Sequence, residues 1–220
     1  MSFWPGAPSP RATLLIVHGG CWSNEYDLTH TSGLASALAV AGCDVWSLEY
    51  RRVGDPGGGW PGSLNDVQRA VQTVAERGAV RPMLVMGHSA GGHLALLLGA
   101  LDERDGMDLD AIIGLAPIAQ LTRYGTGSNS CQQMVPRFMG GKAEHLADDY
   151  LAADPAYLQP HSRTFLLSGD LDSLVPSEFS ALDGVPLVQV AGAGHFDWLH
   201  PQTAAFDKLS QVIAGIVDGS

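Results

Sequence analysis

Short runs of β-branched and aliphatic residues alternate along the chain with longer stretches in which apolar side chains recur every three or four positions. The short runs are ATLLIV (12–17), CDVWSLEY (43–50), PMLVM (82–86), DAIIGLA (110–116), TFLLS (164–168) and VPLVQV (185–190). They predict about six strands, most of them apolar throughout, as strands buried on both faces are. Between Ser63 and Gly78, apolar residues at Leu64, Val67, Val71 and Val74 predict a helix with one buried face. Ser63 with Asp66 three residues later predicts its start, and Gly78 its stop. Phe206, Leu209, Val212, Ile213 and Ile216 repeat the period near the end, and a weaker stretch over 28–41 closes at Gly42. Strands alternating with helices predict an α/β fold, a mostly parallel sheet with helices on both faces.

Two segments depart from the alternation. DPGGGWPG (55–62) reads as a loop, and from Ile118 to about Gln159 no clean period is visible. No repeat or shift of composition divides the 220 residues, so one domain is expected over 1–220, with 118–159 as a lid-like excursion.

A content of 45% hydrophobic and 16% charged residues suits a packed globule, and a formal charge of −11 would repel a phosphate backbone or an anionic membrane. Neither nucleic acid nor membrane is therefore an expected partner. Cys21, Cys43 and Cys131 are odd in number and widely spaced, which predicts neither a disulfide framework nor a zinc site and suits a reducing compartment. The first residues lack a basic start followed by an apolar core, so a cytoplasmic location is expected.

The sequence VMGHSAGGHLALLLGA (85–100) passes from an apolar strand through a glycine-flanked serine into an apolar helix. Gly87, Ser89 and Gly91 form G-x-S-x-G, the pattern of a sharp strand-to-helix turn that exposes a nucleophilic serine. A serine hydroxyl is a weak nucleophile and needs a base and oxyanion donors. IVHGGCW (16–22) follows the first predicted strand, where glycines let the backbone approach a substrate oxygen.

HGGCW (18–22) together with GHSAGG (87–92) resembles the α/β-hydrolase fold, and within it the HGGxW group of esterases and kynurenine formamidases. The resemblance extends over about residues 12–217 and falls short at the start, where the first strands usual in the family are shortened or absent. It implies an oxyanion hole formed by the N–H groups of Gly20, Cys21 and Ala90. The family order, serine then acid then histidine, is met by SGDLDSLVP (168–176) and AGAGHFDW (191–198). Family pattern G-x-x-D-x-x-V-P selects Asp172 over its neighbour Asp170, and His195 becomes the base. His18 belongs to the oxyanion motif, while His88, His93 and His200 lack any metal spacing and are expected to cap, pack or face water.

The implied activity is hydrolysis of a small carboxylic ester through an acyl-enzyme, without metal or cofactor. An arylformamidase acting on N-formylkynurenine is the alternative, and a non-catalytic ligand-binding protein of hydrolase fold a third reading. Trp22, Trp60, Phe138 and Trp198 are the expected substrate-binding residues, with Tyr124, Met134 and Met139 as further candidates. The shortened sheet edge leaves room for a homodimer.

Overall fold

Residues 1–219 are described in a computed structural model, Asp105 by its backbone alone. The chain opens on β1 (Ser2–Trp4), a strand too short to show a period in the sequence. The six apolar runs follow as β2 (Thr13–Val17), β3 (Asp44–Leu48), β4 (Met83–His88), β5 (Ala111–Leu115), β6 (Thr164–Gly169) and β7 (Leu187–Val190). They form one seven-stranded sheet in the order β1-β3-β2-β4-β5-β6-β7, parallel throughout except for β1 against β3. Phe3 of β1 packs on Trp46 of β3 with ring centroids 4.5 Å apart, which anchors the extra strand at the edge.

The helices are α1 (Ser32–Val40), α2 (Gly62–Glu76), α3 (Ala90–Asp105), α4 (Leu121–Tyr124), α5 (Ser130–Met139), α6 (Ala147–Ala153) and α7 (Ala204–Asp218). Successive strand residues point to opposite faces, so β2 sends Leu15 and Val17 toward α2 and α3, and Leu14 and Ile16 toward α1 and α7. α3 is buried along most of its length, which explains why LALLLGAL shows no polar stripe. No helix among the described residues is long and apolar enough to cross a membrane.

The predicted helix at 63–78 starts at Gly62, with Pro61 at its cap and no side-chain capping bond. Ser63 and Asp66 are engaged elsewhere: the Ser63 hydroxyl donates to the Arg51 carbonyl, and Asp66 accepts two bonds from the Arg51 guanidinium at 2.7 and 2.8 Å. The chain after β3 lies alongside and competes for those groups.

The 118–159 segment holds α4, α5, α6 and a 3-10 turn at Pro155–Tyr157. Its two ends are tied by Asp154, whose carboxylate accepts from the N–H groups of Leu121, Thr122 and Ala156. α5 does carry a buried face, Cys131, Val135, Phe138 and Met139, and a capping box between Asn129 and Gln132. Ten residues with Pro136 among them leave that period too short to stand out.

One expectation is overturned here. Cys21 and Cys131 form a disulfide across 110 residues, and only Cys43 is free and buried. Spacing along the chain could not reveal the pair, because it depends on α5 folding back over the loop after β2. The expectation of a reducing compartment, drawn from unpaired cysteines, loses its basis.

Candidate active site

β2 lies where the strand order reverses: the chain moves from it to β3 on one side and then to β4 on the other. Loops at the carboxyl ends of strands flanking such a point enclose a crevice. The loops after β2, β4, β6 and β7 carry the residues singled out by motif.

After β4 the chain turns at Ser89 (φ 56°, ψ −119°) straight into α3. Such a φ is strained for any residue with a Cβ, and the surroundings hold it. The Ser89 N–H donates to the Leu115 carbonyl at 2.9 Å, and the Ser89 carbonyl accepts from His93 N–H. The glycine spacing follows from close packing. A Cβ on Gly87 would stand 2.1 Å from the Gly91 carbonyl oxygen, and one on Gly91 would stand 2.2 Å from that of Val17.

After β2, Gly20, Cys21 and Trp22 take three successive positive φ angles of 101°, 52° and 56°. Trp22 is paired with Val53 through the backbone, and its indole N–H donates to His93 Nδ1 at 3.3 Å. Behind the loop, the buried His18 ring donates to the Gly19 carbonyl and the Glu49 carboxylate at 2.8 and 2.7 Å, and stacks on Tyr50. Burial works to raise the Glu49 carboxyl. The His18 hydrogen bond and charge, the Leu28 N–H and Arg52 outweigh it and hold Glu49 below its ordinary value. Among the described residues, nothing accepts from the N–H groups of Gly20, Cys21 or Ala90.

Asp172, after β6, meets His195, after β7: His195 Nδ1–H donates to Asp172 Oδ2 at 2.7 Å. The other oxygen of Asp172 accepts from Leu174 and Val175 N–H at 2.9 and 2.8 Å. Asp170 is turned away and accepts from Gly192 N–H at 2.6 Å, closing the neighbouring turn. His88 Nε2–H donates to the His195 carbonyl at 2.8 Å, so the strand before Ser89 also fixes the backbone of His195.

Two buried histidines predict an acid sensitivity. Enclosure pushes His93 from 6.5 down to about 4, and enclosure followed by the charge of His195 pushes His88 well below its usual value. Both are neutral when folded and would take up a proton when unfolded, so below pH 6.5 the unfolded chain binds more protons. Stability is therefore expected to fall as pH drops from 6.5 toward 4, with His93 alone contributing about 3 kcal/mol at the lower limit. Urea unfolding midpoints at pH 7.5, 5.5 and 4.5 check this, and a midpoint indifferent to pH would contradict it.

A cavity of about 570 Å³ brings Gly20, Cys21, Ser89 and His195 together. Tyr26, His30, Leu174, Phe196, Leu199 and His200 form much of the remaining wall, with Ser130 and Cys131 from the start of α5. The expected substrate-binding residues are not among them. Trp22 and Phe138 are fully buried and stacked on each other, with centroids 4.7 Å apart. Trp198 sits in the core on the α1 and α7 face, and Trp60 lines a separate groove with Leu64, Leu97 and Leu101. Tyr124 and Met139 are also core residues. Large aromatic side chains go where they lose most water-exposed area, which favours the core over an open cavity. The residues that do line it were signalled by adjacency: Phe196 follows His195, and Leu174 stands two after Asp172.

Residues 5–182 match the family model described as BD-FAE. The chain is similar to kynurenine formamidase avaC of Aspergillus versicolor, at 32% identity over 52% of this chain and 46% of that one. It is similar also to an acetyl-hydrolase of Streptomyces hygroscopicus, at 30% identity over 74% of this chain and 54% of that one. The chain thus spans about half the length of these relatives. In fold it resembles esterase B from Lactobacillus rhamnosis, with a TM-score of 0.76, 16% identity, and 96% of this chain and 76% of that one covered.

Proposed function

The chain belongs to the BD-FAE family, of α/β-hydrolase esterase type, and on that premise we propose that it is a serine hydrolase cleaving small carboxylic esters. The observation that carries this reading is the shared cavity: Ser89, the Asp172-bonded His195 and the loop of Gly20 and Cys21 all face one space.

The mechanism follows from the roles these groups can fill. Asp172 holds the His195 ring with Nδ1 protonated, which leaves Nε2 bare to take the Ser89 proton. Ser89 Oγ attacks the ester carbon, and the negative charge forming on the carbonyl oxygen is met by the Gly20, Cys21 and Ala90 N–H groups. One such donor is worth about 10²- to 10³-fold in kcat. His195 gives its proton to the leaving alcohol, then takes one from water as that water attacks the acyl-enzyme and frees Ser89.

The walls favour a neutral substrate. Among the described residues lining the cavity there is no Arg, Lys, Asp or Glu, whereas Leu174, Phe196, Leu199 and Tyr26 supply apolar surface. An amino-acid substrate such as N-formylkynurenine would bring a carboxylate and an ammonium with no fixed partner for either, and an unpaired charge is costly to desolvate. The likeness to kynurenine formamidase avaC supports that second reading. A panel of p-nitrophenyl acetate, p-nitrophenyl butyrate and N-formylkynurenine separates them. The short esters are expected to exceed the formamide in kcat/KM by about tenfold or more, equivalent to about 1.4 kcal/mol. The reverse order would assign the formamidase activity, and inertness toward all three would favour a binding protein.

A further inference from the structure

The start of α5 touches both halves of the site. Cys131, in its first turn, is bonded to Cys21, whose N–H is one of the oxyanion donors proposed above. Two residues earlier, Asn129 caps the helix and donates from its side chain to the Leu174 carbonyl at 3.1 Å, in the loop that holds Asp172. The Tyr124 hydroxyl donates to the same carbonyl at 2.9 Å. On the buried side of α5, Phe138 stacks on Trp22, the residue after Cys21. α5 thereby grips the oxyanion loop through a covalent link and a ring stack, and the acid loop through the hydrogen bond of its cap, with Tyr124 at the end of α4 donating to the same carbonyl.

The covalent link falls where the backbone most needs holding. Cys21 and Trp22 are non-glycine residues at positive φ, a conformation that persists only where the surroundings enforce it. Trp22 is held by its ring stack, its indole bond to His93 and the backbone bond to Val53. Cys21 has the disulfide. Its own N–H has no acceptor among the described residues; the turn around it is closed by the Ser23 N–H, which donates to the Gly20 carbonyl at 2.9 Å, and the disulfide is the anchor its side chain adds.

We propose that Cys131 is a positioning residue for the hydrolysis: through its disulfide it keeps the Cys21 N–H aimed at the acyl oxygen, so full turnover requires the oxidised pair. The proposal rests on the serine hydrolase reading. Both sulfur-bearing residues line the cavity, which lets a small dithiol reach the bond. A dithiol thiolate attacks one sulfur and expels the other cysteine as a thiolate. Its second thiol then closes to a cyclic disulfide and expels the first. Two electrons pass from the dithiol to the pair, and both cysteines end as thiols after taking up protons. Cys21 then keeps only the Ser23–Gly20 turn bond against leaving its positive φ, and one oxyanion donor is lost while the apolar walls at Tyr26, Leu174, Phe196 and Leu199 remain.

The experiment compares ester hydrolysis by the oxidised chain and by the chain reduced with dithiothreitol, on the same preparation, with Ser89→Ala as the blank. Reduction is verified by alkylation of two additional cysteines under denaturing conditions. Loss of one donor is expected to lower kcat by about 10- to 100-fold, somewhat less than outright deletion of a donor, with KM within about threefold. Re-oxidation with the cyclic disulfide of dithiothreitol should restore kcat. Cys131→Ser should be low from the start and indifferent to reductant. Near-UV circular dichroism of each sample reports packing. If the reduced chain loses that signal, the double variant Cys21→Ala with Cys131→Val, which keeps apolar groups at both positions, carries the comparison. A fully reduced chain, or the double variant, with kcat within twofold of the oxidised chain would overturn the positioning role and leave the serine hydrolase reading intact. Activity persisting in Ser89→Ala would instead overturn that reading itself.

Discussion

Ser89→Ala is expected to lower kcat for p-nitrophenyl acetate by about 10⁴- to 10⁶-fold, leaving the residual rate that binding and oxyanion donors supply without a nucleophile. The substitution removes one oxygen from a residue that is 2% exposed, and the bonds that fix the turn are made by its backbone N–H and carbonyl. Alanine accepts φ 56° no less readily than serine, so the elbow has no new strain to relieve. The fold should therefore persist, and matching near-UV spectra of the two proteins would exclude unfolding as the cause. Stopped-flow and steady-state rates check the prediction. A variant retaining more than about a tenth of the wild-type kcat would remove Ser89 from the chemistry.

The second large effect separates two neighbouring aspartates. Asp172→Asn keeps an oxygen for the Leu174 and Val175 N–H groups but places an amide against His195 Nδ1. The ring then accepts at Nδ1 and carries its proton on Nε2, the tautomer that cannot take a proton from serine. In a serine-histidine-aspartate triad this wrong tautomer costs about 10⁴-fold in kcat. Asp170→Asn keeps an oxygen able to accept from Gly192 N–H in an exposed turn, and its kcat is expected to stay within about threefold of wild type. Parallel kinetics of the two variants decide the matter. A larger loss at position 170 would reverse the assignment of the acid.

Those two predictions draw on residues that were legible in the sequence, and the reason is local. The turn at Ser89 is specified by five consecutive residues, because the clashes that exclude side chains at 87 and 91 arise within the turn and against the adjacent β2. Asp172 and His195 stand in the loops that follow β6 and β7, so identifying the strands placed the loops, while the choice of Asp172 over Asp170 came from the family resemblance. Strand and helix order were legible for the same reason, and the short β1 escaped because three residues carry no period.

What stayed hidden depends on distant parts of the chain meeting. Trp22, Phe138 and Trp198 read as pocket residues by type, but their surroundings make them core, and neither neighbour of the Trp22 and Phe138 stack is near the other in sequence. Cys21 and Cys131 are invisible as a pair until α5 lies on the loop after β2. Ser63 and Asp66 had the spacing of a helix start, yet Arg51 from another loop claimed both. In each case a tertiary partner outbid the local pattern.

The central claim is that Ser89 becomes covalently acylated, and the most direct test is to trap that bond. The purified chain would be treated with a p-nitrophenyl alkylphosphonate, which loses p-nitrophenolate on attack by a serine activated for acyl transfer, and then digested and mapped by mass spectrometry. The predicted result is one phosphonyl group per chain, on the peptide containing Gly87 to Gly92, with loss of esterase activity in proportion to labelling. A label on any other residue, or full inactivation without a label at Ser89, would contradict the account.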